Sequence, residues 1–460
     1  MPADRPRLAI VSTYNELCGI AAYTHRLERY LDEAFDVEVL KLDQTLLRSD
    51  LPRRMKLAER HIDELCARLR ECPHANIQYE PGTLGPTAGI AFRRFRKLAR
   101  ASRSLSVTFH TFERAEGLPL VRILKDTLRL RPGRVAETIR DWWRMRVIGN
   151  KVFRLLKKLQ RERHVALIVH TKREATTLTL DLDFQNVFDH PLAFLRDEDV
   201  AEARAEATRA DFPVLDHLAP DTKIIGVFGF VAPYKGTLTA VRAMRYLPED
   251  YHLAIFGAIH PAEIRRKIDL NPYLAQILDE ITGIEVPRLD EEGRPVPSAT
   301  PSGDLEGLDK LAVDRLTKAR SDISHRVHFM GPLDDDQFAR GMCLCDAVAL
   351  PYLEVGQTSS GPISIAVELG CRIAAARNHA FAQFARYHPE RFDFFDIGNH
   401  VELATRILHP YTRPRRTPYG YRTNRDVYLR AHGLDPFAGA DRASGRAVEP
   451  KPAAAPVPAG

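Results

Sequence analysis

At 460 residues the chain is longer than one ordinary hydrophobic core organises, so two or three domains are expected. Its 44% hydrophobic and 28% charged residues exclude wholesale disorder, and the net charge of +6 is modest. No stretch reaches the roughly 18 apolar residues of a spanning helix, and residues 1–7 carry no apolar signal segment, so a cytoplasmic protein is expected. Cys18, Cys66, Cys72, Cys343, Cys345 and Cys371 form no C-x-x-C pair and no His-coupled metal spacing. They read as reduced packing thiols, with no metal site expected.

Leu8–Thr13 predicts a buried parallel strand, followed by a loop through Gly19, a helix from about Ala21 to Leu31 and a second strand at Val37–Leu42. Further short apolar runs follow at Ala75–Tyr79, Leu105–Phe109, Val165–Val169 and Asn186–Phe188, mostly with helical material between them. The alternation predicts a doubly wound parallel sheet. Residues 196–220 are charged and Ala-rich and read as a linker. A second alternation then starts at Lys223–Phe228 and continues through Leu253–Phe256, Arg326–Met330, Ala347–Leu350 and Arg372–Ala376. The economical architecture is α/β, two Rossmann-like domains in tandem, spanning 1–195 and 221–415. A polar, proline-bearing insert is expected at 283–322, a helix returning to the first domain at 416–436, and a disordered Ala/Pro-rich tail at 437–460.

Ligands of open parallel sheets bind beyond the carboxyl ends of the strands. Four strand-to-helix loops carry signals there. Gly19, in Tyr14-Asn-Glu-Leu-Cys-Gly-Ile-Ala22, lets backbone approach a ligand at a helix start, though a single glycine also suits a plain turn. His110 ends the strand Leu105–Phe109. Gly229 to Gly236 places Lys235 near a helix N-terminus, where ammonium and helix dipole both favour phosphate; a solvated lysine beside a turn glycine is the alternative. The loop from Asp346 ends in Thr358-Ser359-Ser360-Gly361-Pro362, a hydroxyl-rich opening of a helix suited to a diphosphate. Glu368 lies two turns along that otherwise apolar helix, where an unpaired carboxylate is costly to bury and two ribose hydroxyls would answer the cost.

In this order the segments resemble the retaining glycosyltransferases of family 4, which have the GT-B fold of two Rossmann-like domains facing across a cleft. The resemblance covers most of residues 7–410 and rests on Cys18–Tyr23, His110, His190-Pro191, Gly229 through Lys235-Gly236, and Asp346–Gly370. It implies that the Gly19 loop and Lys235 contact donor phosphates and that His110 contacts the donor sugar and belongs to the catalytic group. It implies further that Ser359, Ser360 and Gly361 sit on the diphosphate and sugar and that Glu368 binds ribose. A hexose-type unit would pass from a nucleoside-diphosphate sugar to a glycan or lipid-linked acceptor by front-face displacement, without a cofactor or metal. Two positions depart from the family pattern. Ser360 stands where a glutamate is common, and Phe230 where an arginine often follows the glycine. A catalytically silent sugar-nucleotide binder therefore stays open as an alternative, as does a sugar-nucleotide epimerase, which can share the double Rossmann architecture.

Between Val121 and Arg163 there are fourteen Lys and Arg against four acids, an excess of ten positive charges. With Trp142, Trp143, Met145, Val147, Ile148, Phe153, Leu155 and Leu156 interleaved, the segment 121–163 reads either as amphipathic helices on an anionic membrane, making the protein peripheral, or as a solvated face of its own domain. No recognised module accompanies the charge, so nucleic acid is not an expected partner.

Overall fold

The computed structural model describes residues 5–16, 18–112, 119–129, 131–259, 271–283, 321–354, 360–412 and 417–436, with the dipeptides Arg288–Leu289 and Pro295–Val296. The expected tail at 437–460, most of the insert at 283–322 and Ser359 lie outside them.

Two six-stranded sheets organise the chain. The first contains β1 (Arg7–Ser12), β2 (Asp36–Lys41), β3 (His74–Tyr79), β4 (Ser104–Phe109), β5 (Val165–Val169) and β6 (Val187–Asp189), in the order β2-β1-β3-β4-β5-β6. All its pairings are parallel. The second contains β7 (Lys223–Phe228) and β8 (Tyr251–Phe256). After the antiparallel pair β9 (Arg288–Leu289) and β10 (Pro295–Val296), which forms its own small ribbon, come β11 (Val327–Gly331), β12 (Ala347–Leu350), β13 (Ile373–Ala376) and β14 (Phe392–Phe395). Its order is β11-β8-β7-β12-β13-β14, again parallel throughout. Helices cover both faces, which is why runs such as Val165–Val169 and Ala347–Leu350 are buried at every position rather than at alternate ones.

The segment between the sheets is itself structured. Asp197–Glu206 is helical, and a short helix at Pro213–Asp216 leads into β7. Beyond the second sheet the chain crosses back, and the helix Tyr421–Ala431 packs on β5, β6 and the first helix, Gly19–Leu31.

That return is fastened by a buried polar layer. Asn76 and Gln78 of β3, and Ser106 and Thr108 of β4, alternate along their strands and so present one face. The Asn76 amide donates to Ser106 Oγ at 2.8 Å and Thr108 Oγ1 at 3.0 Å; the Gln78 amide donates to Asn76 Oδ1 at 2.6 Å and the Tyr428 hydroxyl at 3.1 Å. Tyr428 also meets Thr108 at 3.0 Å, and His432 meets Ser106 at 3.0 Å. Burial pushes His432 down to about 3, so it stays neutral. Asn424 donates to the hydroxyls of Tyr23 at 3.1 Å and Tyr30 at 2.5 Å. Satisfied polar groups in a dry layer accept few alternative packings.

One expectation about the basic segment is corrected. In the helix Pro132–Glu162, residues Val152, Phe153, Leu155, Leu156 and Leu159 are buried in the first core, against β5 and the helix Ala88–Ala101. Phe153, Leu155 and Leu156 therefore face no membrane: they are buried between the sheet and the neighbouring helix. The side chains of Trp143, Met145, Val147 and Ile148 lie outside the described set.

Tyr428→Phe keeps the ring volume but leaves Gln78 and Thr108 short of a partner. Urea denaturation is expected to show a loss of about 1–3 kcal/mol, the range for an unsatisfied buried polar group.

Candidate functional site

In the second sheet β8 and β11 lie on one side of β7, and β12 to β14 on the other. The loops leaving β7 and β12 therefore diverge and open a crevice at the carboxyl edge.

The β7 loop is shaped by two glycines. Gly229 has φ +108°, and Gly236 has φ +67°, where a Cβ would stand 1.9 Å from the Pro351 carbonyl oxygen. This lets the β7 and β12 loops touch and folds Lys235, at the end of the single turn Pro233–Lys235, back over Gly229. Its ammonium donates to the Tyr352 hydroxyl at 2.7 Å and lies over the Tyr352 ring, 3.9 Å from the centroid. Lys235 is 7% exposed, and it forms no ion pair among the described residues. Burial lowers its pKa to about 8.

The β12 loop ends at Ser360, which occupies the N-cap position of the helix Gly361–Glu368 but makes no side-chain cap. Its Oγ is buried without a well-formed hydrogen bond, although it sits alongside the same Tyr352 hydroxyl. Tyr352 is thus the hub that brings Lys235 and Ser360 together. An ammonium, a hydroxyl and the amides of a helix N-terminus converge there, a combination that attracts a polyanion. Tyr352 is missing from the site predicted from sequence. An aromatic two residues past an apolar strand is equally at home in a core.

Gly361 opens the helix with its α-carbon against the Phe194 ring, where a Cβ would be 3.3 Å from Cζ. Glu368, at the other end, already has partners within the chain. Its Oε1 and Oε2 accept from Phe194 N–H at 3.0 and 3.1 Å, and Oε2 from Leu195 N–H at 3.2 Å. Burial pushes the carboxyl up to about 8 against the pull of these amides. The cost of burying it is offset by amides of the segment between the sheets. Beside it, Arg204 reaches the Leu369 carbonyl, so the two halves are clasped at this corner.

On the first sheet His110 stands just beyond β4. Gln78 has committed its amide hydrogens to Asn76 and Tyr428, so its carbonyl accepts from His110 Nε2 at 2.7 Å. The ring is neutral, its pKa held well below the ordinary value by burial and by His170, with Nδ1 as the acceptor nitrogen. His170, just beyond β5, was missed. It stacks obliquely on His110 with centroids 5.3 Å apart, and both rings meet the edge of Tyr23. His170 Nδ1 donates to the His190 carbonyl at 3.0 Å, and burial lowers the ring to about 4. Its Nε2 is a buried acceptor with no partner among the described residues. The signal was available, since His170 ends an apolar strand as His110 does.

Gly19 begins the helix Gly19–Leu31, as the loop position implies, but with ordinary backbone; a Cβ there meets nothing within 4 Å. Its freedom of φ is unused. The helix is capped by Cys18 Sγ, which accepts from Ala21 N–H. Tyr23 on this helix touches His110, His170 and Phe194, and Phe194 touches Gly361, so a continuous aromatic contact joins the histidines to the helix of the second sheet.

No protein-family model matches the chain, and no curated protein matches it in sequence. Solved structures do match it along its whole length. The sucrose-phosphate synthase of Thermosynechococcus elongatus is 14% identical over 96% of this chain and 98% of that one, with a TM-score of 0.51. An alpha,alpha-trehalose-phosphate synthase (UDP-forming) from Burkholderia vietnamiensis is 10% identical over 95% and 99%, also at 0.51. The fold is GT-B, the architecture that the resemblance implied.

Because the Lys235 ammonium titrates near 8, a bound diphosphate should be held with constant affinity below that pH. Above it, affinity should fall as the free protein loses the proton that the complex needs. Calorimetric titrations from about pH 7 to 9 with a nucleoside-diphosphate sugar, whose diphosphate carries no proton that titrates in this range, check this, and Lys235→Arg should remove the decline.

Proposed function

We propose that the protein is a retaining glycosyltransferase that moves a hexose-type unit from a nucleoside-diphosphate sugar to a glycan or lipid-linked acceptor. The observation that carries this is the convergence of Lys235, Ser360 and an uncapped helix N-terminus on Tyr352, at the switch point of the second sheet. A buried ammonium with no carboxylate partner among the described residues is poised for a ligand's negative charge, and a leaving diphosphate gains charge as the glycosidic bond breaks. The protein's contribution is then electrostatic: Lys235 and the helix amides hold the leaving group. The resemblance gives the stereochemical course, with the diphosphate oxygen taking the acceptor proton on the same face.

His110 and His170 lie on the facing sheet as two neutral imidazoles, and His170 Nε2 is a buried acceptor with no partner among the described residues. Neutral acceptors suit sugar hydroxyls, and in this proposal they orient the donor sugar or acceptor rather than exchange protons at neutral pH. The trehalose-phosphate synthase with this fold is UDP-forming, which makes UDP-sugars the first donors to try beside GDP- and ADP-sugars.

A thermal-shift panel with these sugar nucleotides should give a clear stabilisation with one of them. Transfer or slow hydrolysis of that donor should follow. Binding without turnover for every donor and acceptor tried would leave a silent binder, and a free epimerised donor would make it an epimerase. Lys235→Ala should weaken the productive donor by about 1–3 kcal/mol, the range for a charge-assisted hydrogen bond. His170→Ala should lower kcat/KM by about three- to tenfold, as expected for one neutral hydrogen bond. Glu368→Gln separates two roles. A clasp to Phe194 and Leu195 predicts lower unfolding stability with donor affinity unchanged, whereas a ribose ligand predicts the reverse.

A further inference from the structure

The helix Leu120–Leu128 is turned the wrong way round for a helix that faces water. At about 100° per residue Leu120, Leu124, Leu128 and Val121 fall within one arc of about 100°. All four point outward, with exposures between 61% and 84%. The acid on the same helix, Asp126, is turned inward and is 8% exposed, and Ile123 is half-buried. A half-turn rotation would bury the leucines and solvate the aspartate, so the observed orientation forgoes apolar burial that the sequence offers. Such a conflict between pattern and packing marks a surface with a use.

Cations flank the apolar arc. Lys125 and Arg129 are exposed along its edge, and the start of the next helix adds exposed Arg131, Arg134, Ile139 and Arg140, with Glu137 as the exposed acid among them. We infer that this face docks on an anionic membrane leaflet. The helix lies in the plane of the interface, its leucines at the boundary of headgroups and acyl chains and its Lys and Arg on lipid phosphates. A second copy of the chain is the poorer occupant. A two-fold interface would set Lys125, Arg129, Arg131 and Arg134 against their own copies, whereas lipid phosphates neutralise them. The helix packs on the helix Pro132–Glu162, whose buried side lies on the first sheet. Docking would hold the first half of the chain to the bilayer. The inference is independent of the proposed transfer reaction and is tested without it.

Flotation of the full-length protein on vesicles of phosphatidylcholine alone, or mixed with phosphatidylglycerol, tests it. The protein should rise with the mixed vesicles, bind neutral ones at least about tenfold more weakly, and be released by raised salt. Leu120→Ser, Leu124→Ser and Leu128→Ser combined should reduce binding at least about tenfold at low salt, with an unchanged Tm because the three side chains make little core. Lys125→Glu with Arg129→Glu should remove the preference for anionic vesicles. Failure to float, equal binding to both vesicle types, or unaltered flotation of the triple-serine protein would overturn the inference. Self-association abolished by the triple-serine change, with no vesicle binding, would assign the face to a second copy.

Discussion

A cation buried in a crevice, with no counter-anion among the described residues, is the constraint around which the second half of this molecule is arranged. Taking the Lys235 ammonium out of water is costly, and the protein offsets the cost only in part, through the Tyr352 hydroxyl and the faces of Tyr352 and Tyr234. The lowered pKa records what is left over. Everything nearby serves that placement. Gly229 provides a floor without a side chain, and Gly236 lets the β7 loop close on Pro351. The order of strands opens the crevice beside both. An arrangement that leaves charge unanswered in the free protein is pre-organised for a ligand that brings the opposite charge.

The first half answers with neutral groups. A chain of amides and hydroxyls runs from Asn76 through Gln78 to His110, and its far end is anchored on Tyr428 of the returning helix. One buried layer thereby fastens the last helix to the first sheet and sets the tautomer of the histidine at the cleft. Glu368 plays a matching role at the opposite corner, where its carboxyl group fixes the segment that links the sheets. The two halves are joined by these directional polar contacts and by one apolar cluster that includes Leu8, Tyr23, Phe194, Ile224 and Ile363, while two further apolar cores lie one in each half. The outward leucines of Leu120–Leu128 stand apart from both patterns.

Much of the fold was legible in the chain. Buried parallel strands announce themselves as short continuous apolar runs, and Val165–Val169 or Ala347–Leu350 admit little else. Of the site, Lys235, Ser360, Gly361 and His110 were legible because they follow such strands, where ligands of this architecture bind. Tyr352 and His170 were not singled out, since an aromatic or a histidine beside a strand looks alike whether it serves packing or chemistry. Glu368 shows the converse. The sequence raises the cost of burying a carboxylate, but only the fold shows that amides from residues 194 and 195 meet it.

Local pattern, then, determined the alternation of strand and helix, the two-sheet class and the loops that carry chemistry, because periodicity and strand ends depend on neighbours a few residues away. Tertiary structure alone decided the strand orders, the return of Tyr421–Ala431 to the first sheet, the partner of Glu368 and the outward turn of the leucines at 120, 124 and 128. Each of these depends on groups more than a hundred residues apart or on which face of a helix finds a partner. An amphipathic pattern states that a face is apolar. What covers that face is settled only when the rest of the chain has taken its place.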